Sequence, residues 1–376
     1  MAAVTRAKAY LKARHKAVYT ALDALKLDAL LLTHPADLAW LTNFTGDDSI
    51  GVITKKDFHL ITDFRYVEQA RLEAGWLKLT KREGKMADTL AGALLPLKAS
   101  RIGFEANFMT FGQVAALKTA LKEQAKGKPV PELVPIEDVL VNLRKVKDDQ
   151  EVPLIRQAVD VAQEAFNAVR DLIMPGETES HLAGLLILEL RSRGASDVSF
   201  PPSVAAGAAS ALPHYRPADI ELKNNAPVLF DWGAVVGGYC SDLTRTFMLG
   251  RVPAKLKTIY NVVLEAQQAA IAFMRPGVLT TQCDRVARDV IEKAGFGEYF
   301  GHSLGHGIGR NIHEMPTMRK TGGEEELRPG MVVTVEPGIY LPGIGGVRIE
   351  DDVLITHSGC EVLSNLPKSY EDCHIE

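Results

Sequence analysis

The second half of this 376-residue chain says nearly the same thing twice, and that repetition narrows its fold more than any other feature. One copy runs through a helical stretch, Pro175-Gly176, a second helical stretch from Thr178 to Arg193, and a strand pair holding Asp231 and Asp242. The other runs from Ala254 to Arg275, through Pro276-Gly277 and Thr280 to Ala294, to a strand pair holding Glu336 and Glu350. Counted from the proline of each Pro-Gly step, the first acid lies 56 residues on in one copy (175 to 231) and 60 in the other (276 to 336). A glycine follows each first acid by two positions, Gly233 and Gly338, as if both copies need the same close backbone approach. Two such halves related by a pseudo-two-fold would turn their paired acids toward each other.

Each acid stands in a run of Val, Ile, Phe and Leu that reads as strand, where an unpaired carboxylate costs several kcal/mol to bury. Something cationic should compensate them. Asp231 and Asp242 flank Gly237-Gly238, a turn able to fold their strands into a hairpin, and Glu336 and Glu350 flank Pro342-Gly343-Ile-Gly345-Gly346 in the same way. His306 enters on a glycine-rich loop, Gly305-His-Gly-Ile-Gly309. Four carboxylates with one imidazole suit two divalent ions better than one structural zinc. Five such ligands can hold two ions roughly 3.5–4 Å apart with a water or hydroxide between them as nucleophile, so the chemistry implied is hydrolysis.

The rest of the chain supplies a setting. The first 130 or so residues alternate short apolar strands (Ala29-Leu-Leu-Leu-Thr, Ile50-Gly-Val-Ile-Thr, Phe58-His-Leu-Ile-Thr, Arg101-Ile-Gly-Phe-Glu) with helical stretches such as Arg65 to Ala74 and Gln113 to Lys126. They read as a small α/β domain. A polar stretch, Arg144-Lys-Val-Lys-Asp-Asp-Gln-Glu, then leads into a long amphipathic helix from Val152 to Met174 and marks a domain boundary. The expected class is α/β (α+β), with domains over 1–145 and 146–376. Net charge is only −4 with scattered basic residues, which argues against nucleic acid or an anionic membrane as partner. The first 26 residues, with Arg6 and Lys8 among short apolar steps, lack a signal-peptide core, and no run approaches the ~20 apolar residues of a membrane helix. Cys240, Cys283, Cys360 and Cys373 form no CxxC pair and fit a reducing cytosol, so a cytoplasmic protein is expected.

The segments Asp231-Trp-Gly-Ala, Gly238-Tyr-Cys-Ser-Asp242-Leu-Thr-Arg-Thr, Gly305-His306-Gly-Ile-Gly, Ile312-His313-Glu-Met-Pro, Val335-Glu336-Pro-Gly-Ile-Tyr and Val347-Arg-Ile-Glu350-Asp-Asp together resemble the proline-specific "pita-bread" metallopeptidases, the aminopeptidase P and prolidase group of family M24. A weaker likeness extends to the N-terminal domain. The resemblance implies two divalent ions, manganese by preference with cobalt, zinc or iron as substitutes, held by Asp231, Asp242, His306, Glu336 and Glu350. It implies that His214 and His313 line the proline side of the substrate. His302, spaced one helical turn before His306, would hydrogen-bond the scissile carbonyl or developing oxyanion. Glu336 would also shuttle a proton to the imide nitrogen. Arg348 would lie on the same side of its strand as Glu350, there either binding a substrate carboxylate or forming a salt bridge within the cluster.

The activity expected first is that of an aminopeptidase releasing the residue before proline from longer peptides. The alternative is a dipeptidase confined to Xaa-Pro, and the motifs do not choose between them. A remote alternative is an inactive pita-bread scaffold that binds a partner protein. A homodimer or larger homo-oligomer is the assembly the resemblance suggests.

Overall fold

The computed structural model describes residues 8–322 and 324–376, so Arg6 lies outside the described residues. By backbone contacts the chain divides into two compact units, Met1–Leu143 and Arg144–Glu376.

In the first unit a six-stranded sheet takes the order Lys78–Lys81, Phe58–Thr62, Ile50–Thr54, Ala29–Leu32, Arg101–Glu105, Glu132–Ile136. The run Ala29-Leu-Leu-Leu at its centre is buried throughout. Because side chains alternate across a strand, Leu30 and Leu32 enter one core and Ala29 and Leu31 the other. Val18 and Leu22 of the helix Lys8–Leu25 share the first core, while the helices Met86–Leu94 and Phe111–Ala125 cover the second. The expected α/β layering is what forms.

The second unit repeats itself as the sequence does. Helices Val152–Arg170 and Glu179–Ser192 precede one set of strands, and helices Ala254–Phe273 and Thr280–Lys293 precede the other. Gly176 and Gly277 both turn through positive φ, 96° and 84°. The residues after them then make matching isolated bridges, Thr178 with Glu221 and Leu279 with Glu326. The first long helix ends at Arg170, short of the expected Met174.

Two hairpins carry the acids. In the first, Ala226–Trp232 and Ala234–Val236 run antiparallel to Leu243–Leu249 and Tyr239–Cys240 in the same register on either side of a break at Gly233, closed by Gly237 and Gly238 at φ 58° and 78°. Two central residues with positive φ are the demand of the twisted two-residue turn that hairpins prefer. In the second, Val335 opposes Asp351 and Gly338 opposes Arg348, so the register carried through sets Glu336 across from Glu350. The first pair is arranged differently. Asp231 opposes Thr244, and Asp242 lies two residues earlier on the same face. The hairpins meet where the Glu350 N–H donates to the Thr244 carbonyl at 3.1 Å.

Candidate metal centre and active site

Asp242, His306 and Glu350 each place a ligand atom within 4.8 Å of the others, and all three are buried. His306 stands on the short strand Gly305–Gly307 rather than on a loop. A Cβ at position 305 would lie 2.0 Å from the Thr334 carbonyl oxygen, so only glycine lets the strands come together there. The His306 Nδ1 lies 3.0 Å from the Gly307 carbonyl, which can only accept, so Nδ1 carries the proton and Nε2 keeps its lone pair. That Nε2 sits 3.6 Å from Asp242 Oδ2 and 3.5 Å from Glu336 Oε1. Burial holds the ring neutral, its pKa lowered to about 4. A neutral imidazole with a free lone pair is a metal ligand's state.

The carboxylates show the complementary strain. Burial, reinforced by their neighbours' negative charge, raises Asp242 and Glu336 well above the ordinary carboxylate range. Glu350 is pushed up to about 8 by burial and by Asp231. One oxygen each of Asp231 and Glu350 is buried without a hydrogen-bond partner. Orphaned anionic oxygens crowded around an imidazole lone pair are what divalent cations compensate, so these residues fit metal binding.

Arg348 is a buried cation at this cluster, and each of its three guanidinium nitrogens donates a hydrogen bond. Its Nη2 pairs with Asp231 Oδ2, its Nε donates to the Thr244 hydroxyl at 3.0 Å, and its Nη1 donates to the Tyr340 hydroxyl at 3.0 Å. Its contact with Asp231 is an ion pair between a buried guanidinium and a largely buried carboxylate. Thr244 in turn donates to Glu350 Oε2 at 2.6 Å.

His302 lies just ahead of the strand Gly305–Gly307. Its Nδ1 lies 2.8 Å from the Ser303 carbonyl and its Nε2 2.9 Å from the Tyr340 hydroxyl. Burial and then Arg348 keep the ring neutral, with a pKa of about 4. Nδ1–H is committed to Ser303, and Nε2 accepts from Tyr340, whose oxygen already accepts from Arg348. His313 is exposed, its ring centroid 4.4 Å from that of His306, and His214 is exposed on the far side of Pro213, whose carbonyl accepts from Arg348 Nη1 at 3.4 Å. Both imidazoles act electrostatically on Asp231.

Sequence reasoning gave no role to Tyr340, Thr244 or Asp352, whose Oδ2 accepts from the Asp242 N–H at 2.9 Å. Tyr340 closes the Val335-Glu-Pro-Gly-Ile-Tyr segment, and Thr244 stands two residues from Asp242 on one strand face, so period-two spacing could have found Thr244.

Buried carboxylates from two hairpins, converging on a neutral imidazole from a third, define a metal-dependent hydrolase. Residues 153–357 match the model of metallopeptidase family M24, and residues 14–146 match the creatinase/prolidase N-terminal domain. The chain belongs to metallopeptidase family M24, and it is a metallopeptidase in the pita-bread fold. It is 38% identical over 344 residues to an uncharacterized peptidase of Bacillus subtilis, covering 92% of this chain and 95% of that protein. Among solved structures, an Xaa-Pro dipeptidase from Bacillus anthracis superposes with a TM-score of 0.90 at 39% identity, over 96% of this chain and 99% of that one. An X-Pro aminopeptidase from Thermotoga maritima superposes with a TM-score of 0.85 at 34% identity, over the same shares of the two chains. Among the described residues, no helix is long and apolar enough to cross a membrane.

Proposed function

We propose that this metallopeptidase hydrolyses the bond preceding proline and acts chiefly as an Xaa-Pro dipeptidase. The observation that carries the metal-dependent part is the buried meeting of Asp242, His306 and Glu350 beside orphaned oxygens of Asp231 and Glu350. The proline part rests on the relatives, and of the two solved structures above the dipeptidase has the higher identity and TM-score. That preference replaces the aminopeptidase activity expected first.

In this reading Asp231, Asp242, His306, Glu336 and Glu350 hold two divalent ions, manganese being the first candidate. Such ions supply Lewis acidity and lower the pKa of a bound water. The protein's own residues then do the rest. Glu336 takes the proton of the attacking water and returns it to the proline nitrogen as the C–N bond breaks. Proline's tertiary amide has no N–H to recognise, so its side of the site calls for ring contacts, which the exposed imidazoles of His214 and His313 offer. Arg348 favours the ionised form of Asp231 against the upward push of burial and fixes its position, and His302 holds Tyr340 against Arg348. The reading also includes a homo-oligomer and a cytoplasmic location, the latter supported by four free cysteines.

The test strips the metals, restores manganese, cobalt or zinc in turn, and compares Xaa-Pro, Xaa-Pro-Yaa and an Xaa-Ala-Yaa control. Rapid turnover of the dipeptide alone is the expected result. Equal cleavage of the alanine control removes the proline assignment, and preferred cleavage of the tripeptide returns the aminopeptidase. With metal occupancy verified by calorimetry, Glu336→Ala should lower kcat by roughly 10²–10⁴-fold, the usual yield of a positioned general base. Near-normal turnover would remove its proton-shuttle role.

A further inference from the structure

The segment Arg144-Lys-Val-Lys reads in the sequence as a solvated boundary, yet in the structure it is buried. Arg144, Lys145 and Lys147 are each less than a tenth exposed. Val146 bridges to Met331, and the Lys147 N–H donates to the Gly330 carbonyl at 2.8 Å, so the backbone is pinned to the catalytic unit. Three long cationic side chains buried in a row need a reason.

For Lys145 the partner is Glu325, and for Arg144 and Lys147 it is Glu314. Its Oε1 pairs with Arg144 Nη2, and its Oε2 lies 3.5 Å from Lys147 Nζ. The same carboxylate reaches into the tip of the hairpin between His306 and Glu314, where Oε1 accepts the Asn311 N–H at 3.0 Å. A Cβ on Gly309 would stand 2.6 Å from Oε2, so the loop closes directly over the carboxylate. The strand pairing also slips between His306 and Gly307, so the loop is not held by regular register alone. His313, the residue before Glu314, carries its ring to within 4.4 Å of His306, measured between centroids. A buried, doubly paired carboxylate thus anchors a loop whose next side chain stands exposed at the centre.

We propose that Glu314, gripped by Arg144 and Lys147, is a positioning residue for the His313 loop, and that through it segment 144–147 sets how the proline side of the substrate is held. The second clause rests on the reading of His313 given above. A positioning role acts through His313, so it appears as coupling between the two residues, which loss of general stability does not produce.

The experiment is a double-mutant cycle on the metal-loaded enzyme with an Xaa-Pro dipeptide. Glu314→Gln should raise KM by roughly ten- to hundredfold with kcat within about twofold, the effect of a misplaced binding group. In a His313→Ala background the same substitution should change KM by less than about twofold, because the group it positions is gone. Manganese affinity measured by calorimetry should match the wild type in every variant. Independent, multiplying effects on KM would overturn the proposal, as would a fall in manganese affinity that tracks the loss of activity. If Glu314→Gln does not fold, Glu314→Asp, which keeps the charge and shortens its reach, takes its place in the cycle, where coupling to His313→Ala supports the proposal and independence overturns it. A wild-type protein inert on Xaa-Pro overturns the proline reading and the second clause with it, whereas independent effects in an active protein overturn the positioning role alone.

Discussion

The Tyr340 hydroxyl connects His302 to Arg348, and each partner loses something different without it. Tyr340→Phe leaves a buried guanidinium N–H and a buried imidazole nitrogen unpaired, costing about 1–3 kcal/mol of stability. Thermal melts should show that loss, and a variant as stable as wild type would mean that water takes over both contacts. A different carboxyl gives a pH prediction away from the metal centre. Glu105 of the N-terminal unit accepts from the Thr33 and His34 N–H groups, which favours its charged form. Burial and the neighbouring Asp37 outweigh them and push its pKa up to about 8 from 4.5. A raised folded-state pKa means that the folded form holds the proton more tightly. Its stabilising contribution is complete below about 4.5 and is lost as pH rises through about 8. Wild type should therefore lose stability relative to Glu105→Gln across that window, and a pH-independent difference between their melts would contradict it.

At the scale of elements, the two glycines that follow the first acids make the same demand of space with different partners. A Cβ on Gly233 would sit 1.9 Å from the Ser241 carbonyl oxygen, whereas one on Gly338 would meet the Tyr340 hydroxyl at 2.5 Å. Backbone cannot step aside, whereas the Tyr340 ring can, though only by giving up its bonds to His302 and Arg348. Gly233→Ala should cost roughly 3 kcal/mol or more and Gly338→Ala clearly less, measured by denaturant unfolding; the reverse order would refute the distinction. Much of this level was legible beforehand. Period-two apolar runs gave the strands, Pro-Gly steps gave the helix boundaries, and Gly237-Gly238 gave a hairpin because little but glycine satisfies two positive φ angles in succession. What local pattern could not give was long-range pairing. Arg144 reads as solvated because charge usually is, and nothing adjacent announces a carboxylate far along the chain at Glu314. Nor does anything near His302 in sequence announce Tyr340 as the partner of its Nε2. The ligand residue types were plain to read, whereas the direction of each hydrogen bond had to come from the structure.

Taken whole, the molecule puts all five proposed metal donors, from Asp231 to Glu350, in the Arg144–Glu376 unit. A ligand bound only by the folded state stabilises the part that holds it, by about 2.7 kcal/mol at a hundredfold excess over Kd. Chelation should lower the melting of that unit by several degrees and leave the Met1–Leu143 unit unmoved. Scanning calorimetry with and without chelator checks this, and a shift shared equally by both units would count against it. The Arg348 contacts carry one more consequence. An arginine has only protons to give, and the Tyr340 and Thr244 hydroxyls that receive them pass their single protons outward, to His302 and Glu350. Each of these bonds runs outward from one buried cation. One guanidinium thus sets the orientation of two hydroxyls at once, and each turns its proton toward a different partner, His302 or Glu350.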